Sequence, residues 1–264
     1  MKQTAHIFSL LLVLLLFTSF TGTKKGGGDT LVIVIDAGHG GKDPGSISKK
    51  VQEKKVTLDI ARKLGKMLTD SFKDVKVIYT RYNDSFVELH ERAKIANRNK
   101  ASIFISIHCN HNNKTAPNGS ETYVMGLHKS DDNLDVSKRE NEAILYEDNY
   151  EKQQDYEGFD PNSPEAHIIF SFYQNAFREQ SLTLASKVEK HLSARKKVKK
   201  SRGVKQAGFL VLWKTTMPSI LIETGFISNP TEREYLASDS GKKEVAEAVF
   251  KAVKEYKAYL GTIK

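Results

Sequence analysis

Apolar residues fall in two rhythms along this chain. Nearly unbroken runs stand at Leu31 to Ile35 and at Ile103 to Ile107, and such runs predict buried strands over 31–36 and 103–108. Between them Val56, Ile60, Ala61, Leu64 and Leu68 recur at helical spacing, predicting a helix over 54–69. Val75 to Tyr79 alternates as a strand does. Ser85-Phe86-Val87-Glu88 has the form of a capping box that opens a helix to about Asn97. A strand at Glu121 to Met125 follows the turn Asn118-Gly119. This β-α-β-α-β order predicts an α/β fold: one domain with a mixed, mostly parallel β-sheet flanked by helices on both faces.

The second half is less regular. Residues 127–162 are polar, acidic and aromatic by turns, and a stretch this long without a clear element is either disordered or functional. Ser163-Pro164 reads as an N-cap with proline at the first helical position, opening a long helix to about Leu192. Phe209–Leu212 and Ser219–Glu223 are expected as short strands. Asn229-Pro230 starts a short helix. Val245, Ala248, Val249, Ala252, Val253, Tyr256 and Leu260 mark an amphipathic closing helix.

Length bounds the architecture: 264 residues suit one α/β domain once the N-terminus is set aside. Lys2 precedes the apolar stretch Ile7 to Phe17, and small residues follow up to Gly22. That stretch is short for a bilayer span and reads as a signal peptide over 1–22, with an uncleaved anchor as the alternative. Residues 23–29 form a flexible lead-in to a domain at 30–262. Export to the periplasm or cell exterior is therefore expected, with no stable membrane span after processing. Cys109 is the one cysteine, so no internal disulfide can form, and it reads as a small buried residue. The formal charge of +9, or +8 without Lys2, suits an anionic partner such as wall polymers or a membrane surface. The densest basic run, Arg195 to Arg202, lacks interleaved aromatics and reads as a solvated loop, so no nucleic-acid partner is expected.

The candidate chemistry sits at strand ends. His39 lies in Asp36-Ala37-Gly38-His39-Gly40-Gly41, directly after the first buried run, and His108 ends the second. Open α/β sheets usually build their sites at such ends. Two imidazoles with an acidic third partner make a zinc site with an open position. The glycines around His39 match neither the P-loop ending nor the dinucleotide spacing. Asp36 is a candidate to orient His39, and a turn-capping role fits it equally. Glu53 begins the first helix; from spacing alone it reads as a surface glutamate of the first turn. Glu223 ends the apolar strand Ile220-Leu221-Ile222, where a carboxylate is unusual unless paired or functional.

Taken together, these stretches resemble the zinc-dependent N-acetylmuramoyl-L-alanine amidases (type 3) of bacterial cell-wall hydrolysis. The matching segments are Val34 to Gly45, Glu53 to Leu58, Thr80-Arg81, Leu89 to Arg92 and Ala96-Asn97. They continue with Ser106 to Asn110, Arg202 to Lys205 and Met217 to Pro230. Cys109 stands where alanine is more usual and Ala37 where proline is common. The resemblance implies one zinc ion bound by His39, Glu53 and His108, with Glu223 as catalytic acid/base and peptidoglycan as substrate. It also implies a role for the insertion at about 127–162: in some relatives a helix here covers the zinc until a partner protein removes it. Glu140, within Ser137 to Ile144, would then take the open zinc position. Two other readings share these residues: a wall-binding protein without chemistry, and a zinc hydrolase of another bond. The intact set His39, Glu53, His108 and Glu223 argues against the first.

Overall fold

Strands buried on both faces need cover on both faces, and the chain supplies it asymmetrically. The computed structural model describes residues 30–148, 150, 156–157, 159–160, 163–170 and 176–262. The expected signal peptide and lead-in lie outside the described residues. β1 (Leu31–Ala37) pairs in parallel with β4 (Val75–Tyr79) on one side and β5 (Ile103–Asn110) on the other. β8 (Ser219–Phe226) continues in parallel beside β5. β6 (Ser120–Met125) then runs antiparallel to β8 and parallel to the edge strand β7 (Ser201–Ala207). The order is β4-β1-β5-β8-β6-β7, with a separate small hairpin of β2 (Ile47–Ser48) and β3 (Val51–Gln52). The expected α/β class, single domain and mostly parallel sheet are observed.

Alternation along the strands sorts the core into two layers. Ile33, Ile35, Ile105, Ile107, Ile220 and Ile222 face α1 (Glu53–Ser71), α5 (Arg178–Ser193) and α7 (Asp239–Thr262). Val34, Phe104, Tyr123 and Leu221 face the opposite layer, which holds α2 (Leu89–Arg98) and much irregular chain. That chain includes Val136, Ala143, Ile144 and Tyr156 from the 127–162 segment, together with Phe209 to Trp213. The segment contains α3 (Asp131–Asn141) followed by a 3₁₀ turn over Glu142–Tyr146. It is thus part of the second core, not only an addition to the surface.

Several elements differ from expectation for identifiable reasons. The Ser85–Glu88 capping box does not form. The helix begins at Leu89, and Glu88 caps it without a side-chain hydrogen bond. Its free N–H groups are met from the insertion instead: Leu89 N donates to Glu147 Oε1 at 2.7 Å and His90 N to Tyr156 Oη at 3.1 Å. Phe209–Leu212 is a buried turn and not a strand. Asn141 takes the place of a strand neighbour there, donating to Gly208 O and accepting from Leu210 N. β7 begins inside the basic run read as a solvated loop and continues where the sequence pattern assigns no element, because an edge strand has no need of an apolar pattern. The basic run is correspondingly not all solvated: Arg195 is buried, donating to Leu192 O and Thr224 O, and Val198 is buried too. The expected long helix from Pro164 is instead α4 (Pro164–Phe170) and α5, with a turn at Ala176–Phe177. Ser181 holds the start of α5 by bonding Phe177 O and accepting Ser219 N from β8. Ser163 caps α4 as expected, accepting from Ala166 N, and Asn229 caps α6 (Pro230–Ala237).

The fold places the strand ends. After β1 the chain departs to β4 on one side and returns to β5 on the other, so the order reverses at β1 and opens a crevice beyond the carboxyl ends. Beneath it Asp36 accepts from Thr80 Oγ1 at 2.6 Å, Ser106 Oγ at 2.6 Å and Arg92 Nη1 at 2.8 Å. Burial alone would raise the Asp36 pKa, but Arg92 and the two hydroxyls hold it below the usual range. Removing one partner of a buried pair leaves the other charge uncompensated. Arg92→Ala is therefore expected to cost about 3–5 kcal/mol in urea unfolding. A loss under about 1 kcal/mol would contradict the assignment of this pair as a structural keystone.

Candidate metal centre

The turn after β1 is held open by two buried arginines. Arg81 donates to the carbonyls of Ala37 (2.8 Å), Gly38 (2.7 Å) and Lys54 (2.8 Å). Arg92 donates to Ala37 O and to His39 O, each at 3.0 Å. These bonds support His39 in a left-handed backbone conformation, φ 62°, which a non-glycine residue adopts only when its surroundings compel it. Gly38 must be glycine because a Cβ there would lie 2.4 Å from the His108 ring. Arg81 and Arg92 belong to the segments that carry the family resemblance, but their sequence context assigns them no role.

His39, Glu53 and His108 converge, as does Glu140 from α3. All four are buried, and their ligand atoms lie within 4.8 Å of one another. His39 Nε2 is 3.2 Å from Glu53 Oε1 and 3.2 Å from Glu140 Oε2. His108 Nδ1 is 3.3 Å from Glu53 Oε1 and 2.8 Å from Glu140 Oε2. Zinc bonds of about 2.0–2.1 Å in a tetrahedron imply ligand separations of about 3.3–3.4 Å. His39 Nε2, His108 Nδ1 and Glu140 Oε2 also make no hydrogen bond of acceptable geometry among the described residues, although all are buried. Buried polar atoms are rarely left so. Donor set, spacing and unmet atoms all fit a zinc ion.

The surroundings orient these ligands. His39 Nδ1 pairs with Asp43 Oδ2 at 2.8 Å, and Asp43 Oδ1 accepts from Gly45 N. Asp43, not Asp36, therefore fixes the His39 ring; Asp36 is fully engaged with Arg92 and two hydroxyls. Glu53 is fully buried, contrary to the surface position its spacing suggests. Its Oε1 accepts from Cys109 N at 2.8 Å and its Oε2 from Ser46 N at 2.9 Å. Gly45, at φ +63°, packs so closely that a Cβ would meet both His39 and Glu53. Cys109 is buried, with its thiol 3.4 Å from Thr224 Oγ1 and pushed up in pKa chiefly by burial.

Glu223 stands one strand from this cluster, as the Cα partner of His108. It is fully buried, and its Oε2 has no hydrogen bond among the described residues. Burial and then the Glu140 charge raise its pKa well above the usual carboxylate range, against the pull of Arg139 and His108. A carboxyl in that position can hold a proton near neutrality and exchange it with a neighbouring group. Arg139, adjacent to Glu140 on α3, reaches Glu223 Oε1 at 3.4 Å and also donates to His111 O and Asn110 Oδ1.

Comparison with known proteins places the chain in a family. The sequence model of the N-acetylmuramoyl-L-alanine amidase family matches residues 33–255. The N-acetylmuramoyl-L-alanine amidase AmiC of Escherichia coli O6:H1 is 34% identical over 237 residues, covering 88% of this chain and 54% of that protein. AmiA of Escherichia coli K12 is 31% identical over 236 residues, covering 88% of this chain and 78% of that protein. The chain thus spans about half the length of AmiC. Among solved structures, AmiC2 of Nostoc punctiforme superposes with a TM-score of 0.64 at 29% identity, over 88% of this chain and 99% of that one.

The charges make metal uptake a competition with protons. Burial lowers the pKa of His108, but the close Glu140 and Glu53 carboxylates, Glu140 above all, outweigh it and push the imidazole up to about 9. His39 is raised in the same way, by Glu53 above all once burial is overcome. Both shifts favour the protonated imidazoles, so a cation binding here would compete with protons. A raised imidazole stabilises the fold fully below its unfolded pKa of about 6.5 and, for His108, that contribution is lost as pH rises through about 9. Metal-free protein is thus expected to lose stability over that window while zinc affinity grows. Calorimetric titration at pH 7.5 in buffers of different ionisation enthalpy should register about one to two protons released per zinc. Heats that do not depend on the buffer would contradict this.

Proposed function

Because the chain belongs to the N-acetylmuramoyl-L-alanine amidase family, we propose that residues 30–262 form a zinc-dependent catalytic domain. Its reaction is hydrolysis of the amide between N-acetylmuramic acid and L-alanine in peptidoglycan. The observation that carries the proposal is the convergence of His39, Glu53 and His108 beside a buried Glu223 whose Oε2 makes no hydrogen bond among the described residues. His39, Glu53 and His108 are the zinc ligands in this reading. When bound, zinc supplies Lewis acidity, lowering the pKa of water toward ~7 and stabilising charge on the carbonyl oxygen. Glu223 takes the proton of the attacking water and hands it to the departing amine, which leaves poorly without it. Asp43 keeps the His39 ring in the orientation that presents Nε2.

The conformation described is a restrained one in this account. Glu140 takes the position that water or substrate needs, and Arg139 pairs with Glu223, so α3 blocks both halves of the chemistry. A partner protein that draws α3 away would activate the enzyme. The signal-peptide reading assigns the reaction to the periplasm or cell exterior, in wall remodelling or daughter-cell separation. Among the described residues no helix is long and apolar enough to cross a membrane.

Digestion of purified peptidoglycan is expected to release intact stem peptides beginning at L-alanine, identified by mass spectrometry, and a chelator should abolish the release. Acetate release instead would mark a deacetylase. Glu223→Ala should retain zinc by elemental analysis and lose turnover about 10²–10⁴-fold; near wild-type cleavage would refute its role. Glu140→Ala should raise activity at least ~10-fold, equivalent to removing about 1.4 kcal/mol of preference for the blocked state. No rise in a folded variant would refute the restraint.

A further inference from the structure

Where β6 and β7 continue the sheet beyond Glu223, a cavity of about 200 Å³ is lined by Glu121, Arg202 and Lys205, with His111 and Arg139 among its other walls. Its strand-borne charges follow from the register. His108, Glu223 and Glu121 are Cα partners across β5, β8 and β6, and β7 lies beyond with Lys205 opposite Tyr123. Glu121 is 1% exposed. Its Oε2 accepts from Arg202 Nε at 2.7 Å and Lys205 Nζ at 2.5 Å. Its Oε1 accepts from Asn110 Nδ2 at 2.5 Å and Tyr123 Oη at 2.9 Å. Two cations thus share one carboxylate, leaving one positive charge in excess on a largely buried wall. Arg202 is engaged through Nε; its two terminal nitrogens enter no ion pair among the described residues. The other acids that line the cavity, Asp132 and Asp135, belong to α3 and leave with it if α3 is drawn away.

We propose that Arg202 and Lys205 form an anion subsite for a free carboxylate on the peptide side of the scissile amide. This rests on the amidase reading and deepens it. Adjacent strands lie about 4.8 Å apart, so β7 is roughly 10 Å from the strand of Glu223. A carboxylate on the residue after L-alanine lies roughly 7 Å from the scissile carbon, at about 3.8 Å per residue. The long side chains of Arg202 and Lys205 close the remainder. Glu121 is a positioning residue: by holding both cations it spares the entropy of ordering them when the ligand binds. In the restrained state Asp132 and Asp135 stand on the ground that the substrate carboxylate needs, so α3 also opposes substrate by charge.

The test reads binding, not turnover, and is therefore separate from the digestion that tests the amidase reading. The zinc-loaded full chain carrying Glu140→Ala is titrated calorimetrically with an L-alanyl-γ-D-glutamyl peptide amide, its glutamate α-carboxylate either free or amidated. The free acid is expected to bind at least ~10-fold more tightly, about 1.4 kcal/mol. Lys205→Met and Arg202→Gln should each bring the ratio close to one, and Lys205→Arg should keep it, with thermal melts confirming that each variant is folded. Equal affinity for acid and amide, no detectable binding of the acid, or a ratio unmoved by Lys205→Met and Arg202→Gln would overturn the proposal.

Discussion

Three carboxylates, those of Glu53, Glu140 and Glu223, are buried at the ends of β1, β5 and β8, and that concentration of negative charge is the constraint on which the rest depends. Taking one ionised group out of water costs several kcal/mol unless it is paired and hydrogen-bonded. Here the compensation is partial. Two imidazoles and Arg139 approach the three acids, Glu53 gains two backbone N–H donors, and Glu223 is left with an unmet oxygen. A divalent cation held by His39, Glu53, His108 and Glu140 would resolve the imbalance, in competition with protons on the two histidines. Metal affinity, proton occupancy and the closed position of α3 are in this view one coupled equilibrium.

The scaffold answers that constraint with rigid support. Arg81 and Arg92 bind the carbonyls of the β1 turn from below, so the left-handed His39 is fixed by bonds to the backbone and not by its own preference. Asp36 neutralises Arg92 and is itself held by strand β5 through Ser106. The covering segment is also tied into the fold. Glu147 and Tyr156 cap α2, Asn141 bonds the 208–210 backbone, and Val136, Ala143, Ile144 and Tyr156 fill the second core layer. Deleting 127–162 would therefore expose apolar core and uncap a helix as well as clear the site. Displacing α3 alone asks much less of the structure, and point substitution at Glu140 is the cleaner probe of restraint.

Where sequence periodicity was strong, the elements were legible nearly to the residue, as with β1, α1 and β4, while the closing helix starts at Asp239, before its first apolar marker Val245. The features that escaped it depend on distant parts of the chain. β7 is polar because it is an edge. Phe209–Leu212 is apolar because it packs, and Asn141 satisfies its backbone in place of a strand. The cap of α2 comes from Glu147, far along the sequence from Leu89. The site divides similarly. His39, His108 and Glu223 stood out because each follows or ends an apolar run. Glu53 did not, since its burial is created by the hairpin before it and by Cys109; only the resemblance pointed to it. Asp43 could have been preferred to Asp36 as the partner of His39, since it lies beyond the glycines that fold the turn back on itself.

The central claim is that one zinc ion joins His39, Glu53, His108 and Glu140 in the resting protein. Anomalous diffraction at the zinc edge from crystals of the full chain tests it most directly. The account requires one strong peak within about 2.0–2.2 Å of all four side chains. A peak bound by the two histidines and Glu53, with Glu140 swung away, would keep the metal centre and remove the restraint. No peak at these residues in zinc-supplied protein would contradict the metal centre itself.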